Sequence, residues 1–275
     1  MTTERITIIG GGNMARALVA GCLRAHVLPP SAWRVVEPDA DRRADFEALH
    51  VRTLVSAEAL KGALEPGEQL LLAVKPQSLG EAARGLAQVE MSGRVVITIL
   101  AGTPSTAVRR ALGGEVRVVR AMPNLGAQIG EGATAIALGA GAKPGDDALA
   151  QRMFSAVGPV VEPLGEALMD AFTAVAGSGP AYLFYLAEAM IAAGVDLGID
   201  APTADRIVRQ TLRGASVLLS SSSSGPEALR RAVTSPGGTT EAAGAVLDQA
   251  GVQDAFVRAL RAARDRGAEL GRATI

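Results

Sequence analysis

The segment Gly10-Gly11-Gly12-Asn13-Met14-Ala15 follows an apolar run and opens a helical pattern. This is the setting that a dinucleotide-binding turn of the type G-x-G-x-x-G/A requires. The small residues have separate tasks. Gly10 permits a tight turn, Gly12 lets the backbone approach a pyrophosphate, and Ala15 lets helix and strand pack closely. The phosphates then sit on free N–H groups at the helix N-terminus. Glu37 lies 22 residues after Ala15, near the spacing of about 20 at which a carboxylate accepts hydrogen bonds from ribose hydroxyls. Such a carboxylate repels a 2′-phosphate and favours NADH. Arg42 and Arg43 follow within about one helical turn and would meet a 2′-phosphate, so NADPH stays open beside it.

Four further segments place polar or flexible groups at the ends of elements. Ala73-Val74-Lys75-Pro76 directly follows a Leu-rich run. In an open parallel sheet ligands bind beyond the carboxyl ends of strands, which puts Lys75 near the cofactor. Met122-Pro123-Asn124 follows another apolar run, and Gly177-Ser178-Gly179-Pro180 opens a long apolar stretch with proline in its first turn. Ser235-Pro236-Gly237-Gly238-Thr239-Thr240-Glu241 marks another helix start, where N–H groups and hydroxyls are offered to an anion. Taken singly, each of the last three is more often a capping or turn device.

Seven short Val-, Ile- or Leu-rich runs read as strands that would hold these residues. They are 5–9, 34–37, 51–54, 69–74, 95–100, 116–120 and 133–137. Helical patterns such as 13–25 and 40–49 lie between them. This alternation predicts βαβ units, a mostly parallel sheet and an α/β fold. The unbroken apolar run at 70–74 suits a strand covered on both faces. Beyond about residue 163 the strand signals stop. Residues 180–193 carry Glu188 as their one charge, and 201–219 and 255–270 are amphipathic. The division is therefore a dinucleotide-binding domain at 1–162 and an all-α domain at 163–275. A helix apolar on most faces is hard to bury in a domain of about 110 residues, which argues for a dimer through these helices. The serine run 220–224 reads as a helix end and a flexible loop.

Composition removes several function classes. The 27 basic and 28 acidic residues leave no basic excess for a nucleic-acid partner. One cysteine (Cys22) and two histidines (His26, His50) leave no internal disulfide, no Cys/His metal site of the usual kind and no Ser-His-Asp triad. Cys22 reads as a buried structural residue. No apolar stretch is long enough to span a membrane, and no targeting pattern is evident. With a free cysteine this points to the cytoplasm.

In order along the chain, IGGGNM, AVKPQ, RAMPN, AGSGPAY and TSPGGTT resemble the pyrroline-5-carboxylate reductase family of proline biosynthesis. The resemblance spans nearly the whole chain. It implies a Rossmann-like N-terminal domain and a C-terminal helical domain that forms an intertwined dimer, which in this family often assembles further into a decamer. The implied reaction is hydride transfer from NADPH or NADH to the C=N carbon of 1-pyrroline-5-carboxylate, a small cyclic imine, giving L-proline. On this resemblance Gly10–Met14, Glu37, Ser56 and Ala73–Pro76 hold the cofactor, with the nicotinamide near Ala101 and Gly102. The substrate carboxylate would sit on N–H groups around Gly237, Gly238, Thr239 and Thr240. Thr240 would face the imine nitrogen as the candidate catalytic residue, and Ser178 would shape the site at the dimer core. No metal is needed, because the cofactor carries the hard chemistry and alignment of two reactants supplies much of the rate.

The chain departs from the family in places. Leu125-Gly126 follow MPN, the serine run replaces a Glu and His-Pro pair, Glu37 stands where many members have a small polar residue, and Ser56 stands nearest to a common asparagine. Related cyclic imines and an NAD(P)-binding regulatory role without turnover are the alternatives. A β-hydroxyacid dehydrogenase relative would need a lysine in its helical domain, and no lysine follows Lys143.

Overall fold

The computed structural model describes residues 4–273. Packing divides the described chain into two compact units, residues 4–178 with 262–273, and Gly179–Arg261. The sequence pattern changes near 163, yet residues 163–178 and the end of the last helix pack with the first unit. Apolar side chains at Met169 and Phe172 hold this segment, for they pack with Ala135, Ala137 and Met122 of the sheet.

The first unit is built on an eight-stranded sheet. Its strands are β1 (Ile6–Ile9), β2 (Trp33–Val36), β3 (Arg52–Leu54), β4 (Gln69–Leu72), β5 (Val95–Thr98), β6 (Arg117–Pro123), β7 (Ala133–Leu138) and β8 (Val160–Pro163), in the order β3-β2-β1-β4-β5-β6-β7-β8. Each neighbouring pair is parallel except β6 with β7. All seven expected strands form. The eighth, β8, is new, and Met122 and Pro123 lie within β6 rather than after it. The order in which strands are added switches from one side to the other between the parallel neighbours β1 and β4, which opens a crevice at their carboxyl ends.

Period-two alternation divides the core. Ile6, Ile8, Val35, Leu71 and Ile97 face one layer, with Trp33, Phe46 and Phe154. Ile9, Val36, Leu70, Leu72 and Val96 face the other. The leucine run of β4 is thus apolar throughout because both faces are covered. The helices of this unit are α1 (Asn13–Arg24), α2 (Ala40–Glu47), α3 (Leu79–Gly85), α4 (Ser105–Ala111), α5 (Ala148–Ser155) and α6 (Met169–Phe172), the last running into a π-helical turn at Thr173–Gly177. Asp39 caps α2, its Oδ1 accepting from the Arg42 N–H at 3.0 Å.

The second unit holds α7 (Gly179–Asp196), α8 (Ala201–Ser221), α9 (Pro226–Ala232), α10 (Thr239–Gln249) and the first part of α11 (Val252–Ala273). Gly194 lets α7 approach α8, where an added Cβ would stand 3.2 Å from that of Ala204. Tyr182 and Phe256 meet edge to face at 6.4 Å. Much of α7 nonetheless faces outward, with Tyr185 75% exposed and Leu183 and Phe184 also exposed. The serine run is only partly loop. Ser220 and Ser221 complete α8, their hydroxyls donating back to the Val217 carbonyl at 3.0 and 2.8 Å. Such back-bonding lets serine end a helix from within.

Candidate functional site

A groove of about 660 Å³ opens at the carboxyl ends of β1, β2 and β4. Gly10, Gly12, Asn13, Glu37, Ser56, Ala73, Val74 and Lys75 line it. The three glycines have distinct geometry. Gly10 has φ +100°, and an added Cβ would stand 2.9 Å from the Ala73 carbonyl oxygen, so only glycine makes this turn without strain. An added Cβ on Gly11 would stand 2.9 Å from both Glu37 Cβ and Phe46 Cε2. On Gly12 it would meet nothing within 4 Å. Gly12 is the N-cap of α1 and no side chain caps that helix, so first-turn N–H groups face an open cradle. A pyrophosphate fits there on charge and on space.

Gly11, Met14 and Pro76 do not line the groove. The Gly11 N–H is turned to Glu37. Met14 packs against the core, because side chains in a helical turn point in different directions and this one faces the sheet. Pro76 begins a short 3₁₀ turn, Pro76–Ser78, just past Lys75.

Glu37 follows β2 and is 5% exposed. Its Oε2 accepts from the Gly11 N–H at 2.7 Å, and its Oε1 from the Asp39 N–H at 3.0 Å. Arg42 Nη1 lies 4.0 Å from Oε2. Arg43 turns the other way and donates to the carbonyls of Glu37 and Pro38 at 2.9 and 2.7 Å. The two arginines, equivalent by sequence, are therefore not equivalent in the fold.

The structure adds groove residues that sequence reading missed. Ser78, Glu81, Ala82 and Gly85 come from α3 and the turn before it. Their spacing of i, i+3, i+4 and i+7 puts them on one helical face, a signal the sequence does carry. Val55, Ala57 and Glu58 join Ser56 on the loop after β3. Its own amide and the Ser56 hydroxyl hold the Glu58 carboxyl below the ordinary range.

Ala101 and Gly102 lie past the end of β5 and do not line the groove. Gly102 has φ +68° and is buried under α11. A Cβ added there would stand 2.9 Å from the Gly267 carbonyl oxygen, and one added on Gly271 would collide with the Gly102 carbonyl. Glycines at 267 and 271 thus let the end of α11 rest directly on this loop. Nearby, Glu166 accepts from the Ser105 N–H at 2.7 Å, the Ser105 hydroxyl at 2.5 Å and Arg120 Nη1 at 3.1 Å. Burial pushes the Glu166 carboxyl up, but the bonds from Ser105 and the charge of Arg120 outweigh it and hold the group below its usual value. Ser178 ends the π-helical turn, its N–H donating to the Thr173 carbonyl at 2.8 Å.

In the second unit, Gly238 is the N-cap of α10, with φ +67° at Gly237. No side chain caps Gly238, and Thr239 and Thr240 are exposed in the first turn. Glu241 reaches back to accept from the Gly237 N–H at 2.7 Å. This helix start thus leaves its first-turn N–H groups without a side-chain cap and has one carboxylate at its rim. Among the described residues no group of three or more His, Cys, Asp or Glu gathers to hold a metal, and no helix is long and apolar enough to cross a membrane.

A family model described as "Pyrroline-5-carboxylate reductase dimerisation" matches residues 166–270, and one described as "NADP oxidoreductase coenzyme F420-dependent" matches 5–102. The chain is 39% identical over 270 residues to a pyrroline-5-carboxylate reductase of Pseudomonas aeruginosa, covering 98% of each chain. It is 40% identical over 268 residues to that of Synechocystis, again covering 98% of each. The solved structure of a pyrroline-5-carboxylate reductase from Coxiella burnetii matches with a TM-score of 0.86 and 34% identity, covering 98% of this chain and 99% of that one. Full-length similarity at this level means that the chain belongs to the pyrroline-5-carboxylate reductase family.

Proposed function

We propose that this chain is an NAD(P)H-dependent oxidoreductase that reduces the C=N bond of 1-pyrroline-5-carboxylate to L-proline. The observation that carries the reading is the open cradle at Gly12, at the uncapped start of α1 and beside Ala73–Lys75. When bound, the reduced nicotinamide supplies the hydride that the imine carbon accepts.

The chain's own work is to bind, orient and protonate. Gly10, Gly12 and Asn13 receive the pyrophosphate, and the Gly11 and Met14 backbone completes the turn. Glu37 and Ser56 address the adenosine ribose, and Ala73, Val74, Lys75 and Pro76 border the cofactor on the β4 side. Ala101 and Gly102, outside the groove and pinned by α11, would support the nicotinamide end from behind. The N–H groups at Gly237, Gly238, Thr239 and Thr240 take the substrate carboxylate, which the start of α10 favours electrostatically. Thr240 would hold its hydroxyl toward the imine nitrogen and relay a proton to it, taking one from water in exchange. Ser178 shapes the site at the dimer core.

The domain at 163–275 serves as the substrate and dimerisation part. The match of 166–270 to a dimerisation family and the outward apolar face of α7 support a homodimer, with the decamer as its further assembly. Reduced Cys22 goes with a cytoplasmic enzyme.

The test is loss of reduced-nicotinamide absorbance with purified chain, with and without pyrroline-5-carboxylate. Substrate-dependent oxidation is expected, and Thr240→Ala should lower kcat/KM while cofactor affinity stays nearly unchanged. Binding without turnover on this or related cyclic imines would mark a regulatory protein and overturn the reading.

A further inference from the structure

We propose that the adenosine end of the groove selects NADH over NADPH, and that Glu58 is a specificity-determining residue there beside Glu37. The proposal rests on the reading of this groove as the dinucleotide site.

Three arrangements carry it. First, Glu37 cannot withdraw from a phosphate. Its two oxygens are fixed by the Gly11 and Asp39 N–H groups, and it is buried at the groove. A carboxylate offers about four acceptor directions, so those left over suit ribose hydroxyls and repel a phosphate dianion. Second, the cation that a 2′-phosphate would need is largely spent. Arg43 is folded onto the Glu37 and Pro38 carbonyls. Arg42 already stands against Glu37, and its side chain is 59% exposed, so its charge is both countered and screened. Third, Glu58 adds another carboxylate on the loop beside α3, where an added Cβ at Gly85 would stand 3.4 Å from Glu58 Oε1. Among the described residues lining the groove, Glu37, Glu58 and Glu81 face only Arg42 and Lys75 as cations. A 2′-phosphate enters a surface that is already net negative.

The test is calorimetric titration of the full chain with two ligand pairs, NADH against NADPH and AMP against adenosine 2′,5′-bisphosphate. The second pair reports binding at the adenosine end without any turnover. In both, the 2′-phosphorylated member should bind at least about tenfold more weakly. Glu58→Gln, a change at an exposed side chain, should narrow that ratio by about threefold or more, and Glu37→Gln should narrow it further. Equal or tighter binding of the 2′-phosphorylated ligands would overturn the proposal, and a ratio unmoved by Glu58→Gln would remove Glu58 from it. Nucleotides that bind without preference defeat the selectivity alone. If none of the four binds, the dinucleotide reading falls and the proposal with it.

Discussion

The Gly11 N–H donates to Glu37 Oε2 at 2.7 Å, tying the glycine turn after β1 to the end of β2. Glu37 is therefore a structural clamp as well as a groove residue. Replacing it with alanine leaves the Gly11 and Asp39 N–H groups without their acceptor. A buried donor left unpaired costs about 1–3 kcal/mol. Glu37→Ala should lower thermal stability measurably without any nucleotide present, whereas Glu37→Gln, which keeps an acceptor oxygen, should recover part of it. Equal melting temperatures for wild type and Glu37→Ala would show that the clamp contributes nothing.

The same turn separates folding from binding at adjacent glycines. A methyl group at Gly11 would press on Glu37 Cβ and Phe46 Cε2, both 2.9 Å away. Overpacking of this kind costs about 1–3 kcal/mol. A side chain at Gly12 meets nothing within 4 Å. Gly11→Ala should thus unfold more readily than wild type. Gly12→Asp should melt like wild type yet lose NADH affinity, because its charge occupies the pyrophosphate cradle. Retained NADH affinity in Gly12→Asp, measured by titration, would remove the cradle from the cofactor site.

Legibility of fold and site divides along physical lines. Buried strands such as 69–72 announce themselves through unbroken leucine, and Gly10, Gly12, Glu37 and Lys75 through spacing after strands. β8 does not, since Val160–Pro163 lies at the sheet edge, largely exposed, with Glu162 and Pro163 breaking its apolar pattern. The reversed direction of β7 is set by its connection to β6, where Asn124 accepts from the Gly126 and Ala133 N–H groups at 3.2 and 3.1 Å. No residue period records strand direction. Glu58 sits on a short 3₁₀ turn with no helical face to reveal it. The different fates of Arg42 and Arg43 depend on which carbonyls end β2, a tertiary fact.

Cys22 gives the chain a pH signature. Burial in the core pushes its thiol up to about 12 from an ordinary 9.0, and the charge of Arg152 only partly opposes this. The folded state keeps the proton where the unfolded state releases it. The resulting stability is fully present below the unfolded value and is lost as pH rises from about 9 toward 12. The slope approaches about 1.4 kcal/mol per pH unit in that window. Denaturant titrations across it should show the decline, and Cys22→Ala should flatten it while costing stability at neutral pH. The native thiol should also resist thiol reagents until the chain unfolds. Rapid labelling of native protein would contradict its burial.

Glu166 gives the opposite sign. It joins Ser105, at the start of α4, to Arg120 on β6, and so fastens the segment before α6 onto the sheet. Its folded carboxyl titrates below the ordinary range, so the stability it contributes is present above the unfolded value and is lost as pH falls through the folded one. Glu166→Gln keeps an acceptor for Ser105 but gives up the charge facing Arg120, a buried guanidinium. Hydrogen bonds to a charged group are worth about 1.5–3 kcal/mol, and the partial exposure of Glu166 places the loss toward the lower end. The variant should be less stable than wild type at neutral pH, with the difference shrinking in acid as wild-type Glu166 is protonated. A stability gap that stays constant from neutral to acid pH would show that the carboxylate charge contributes nothing to this attachment.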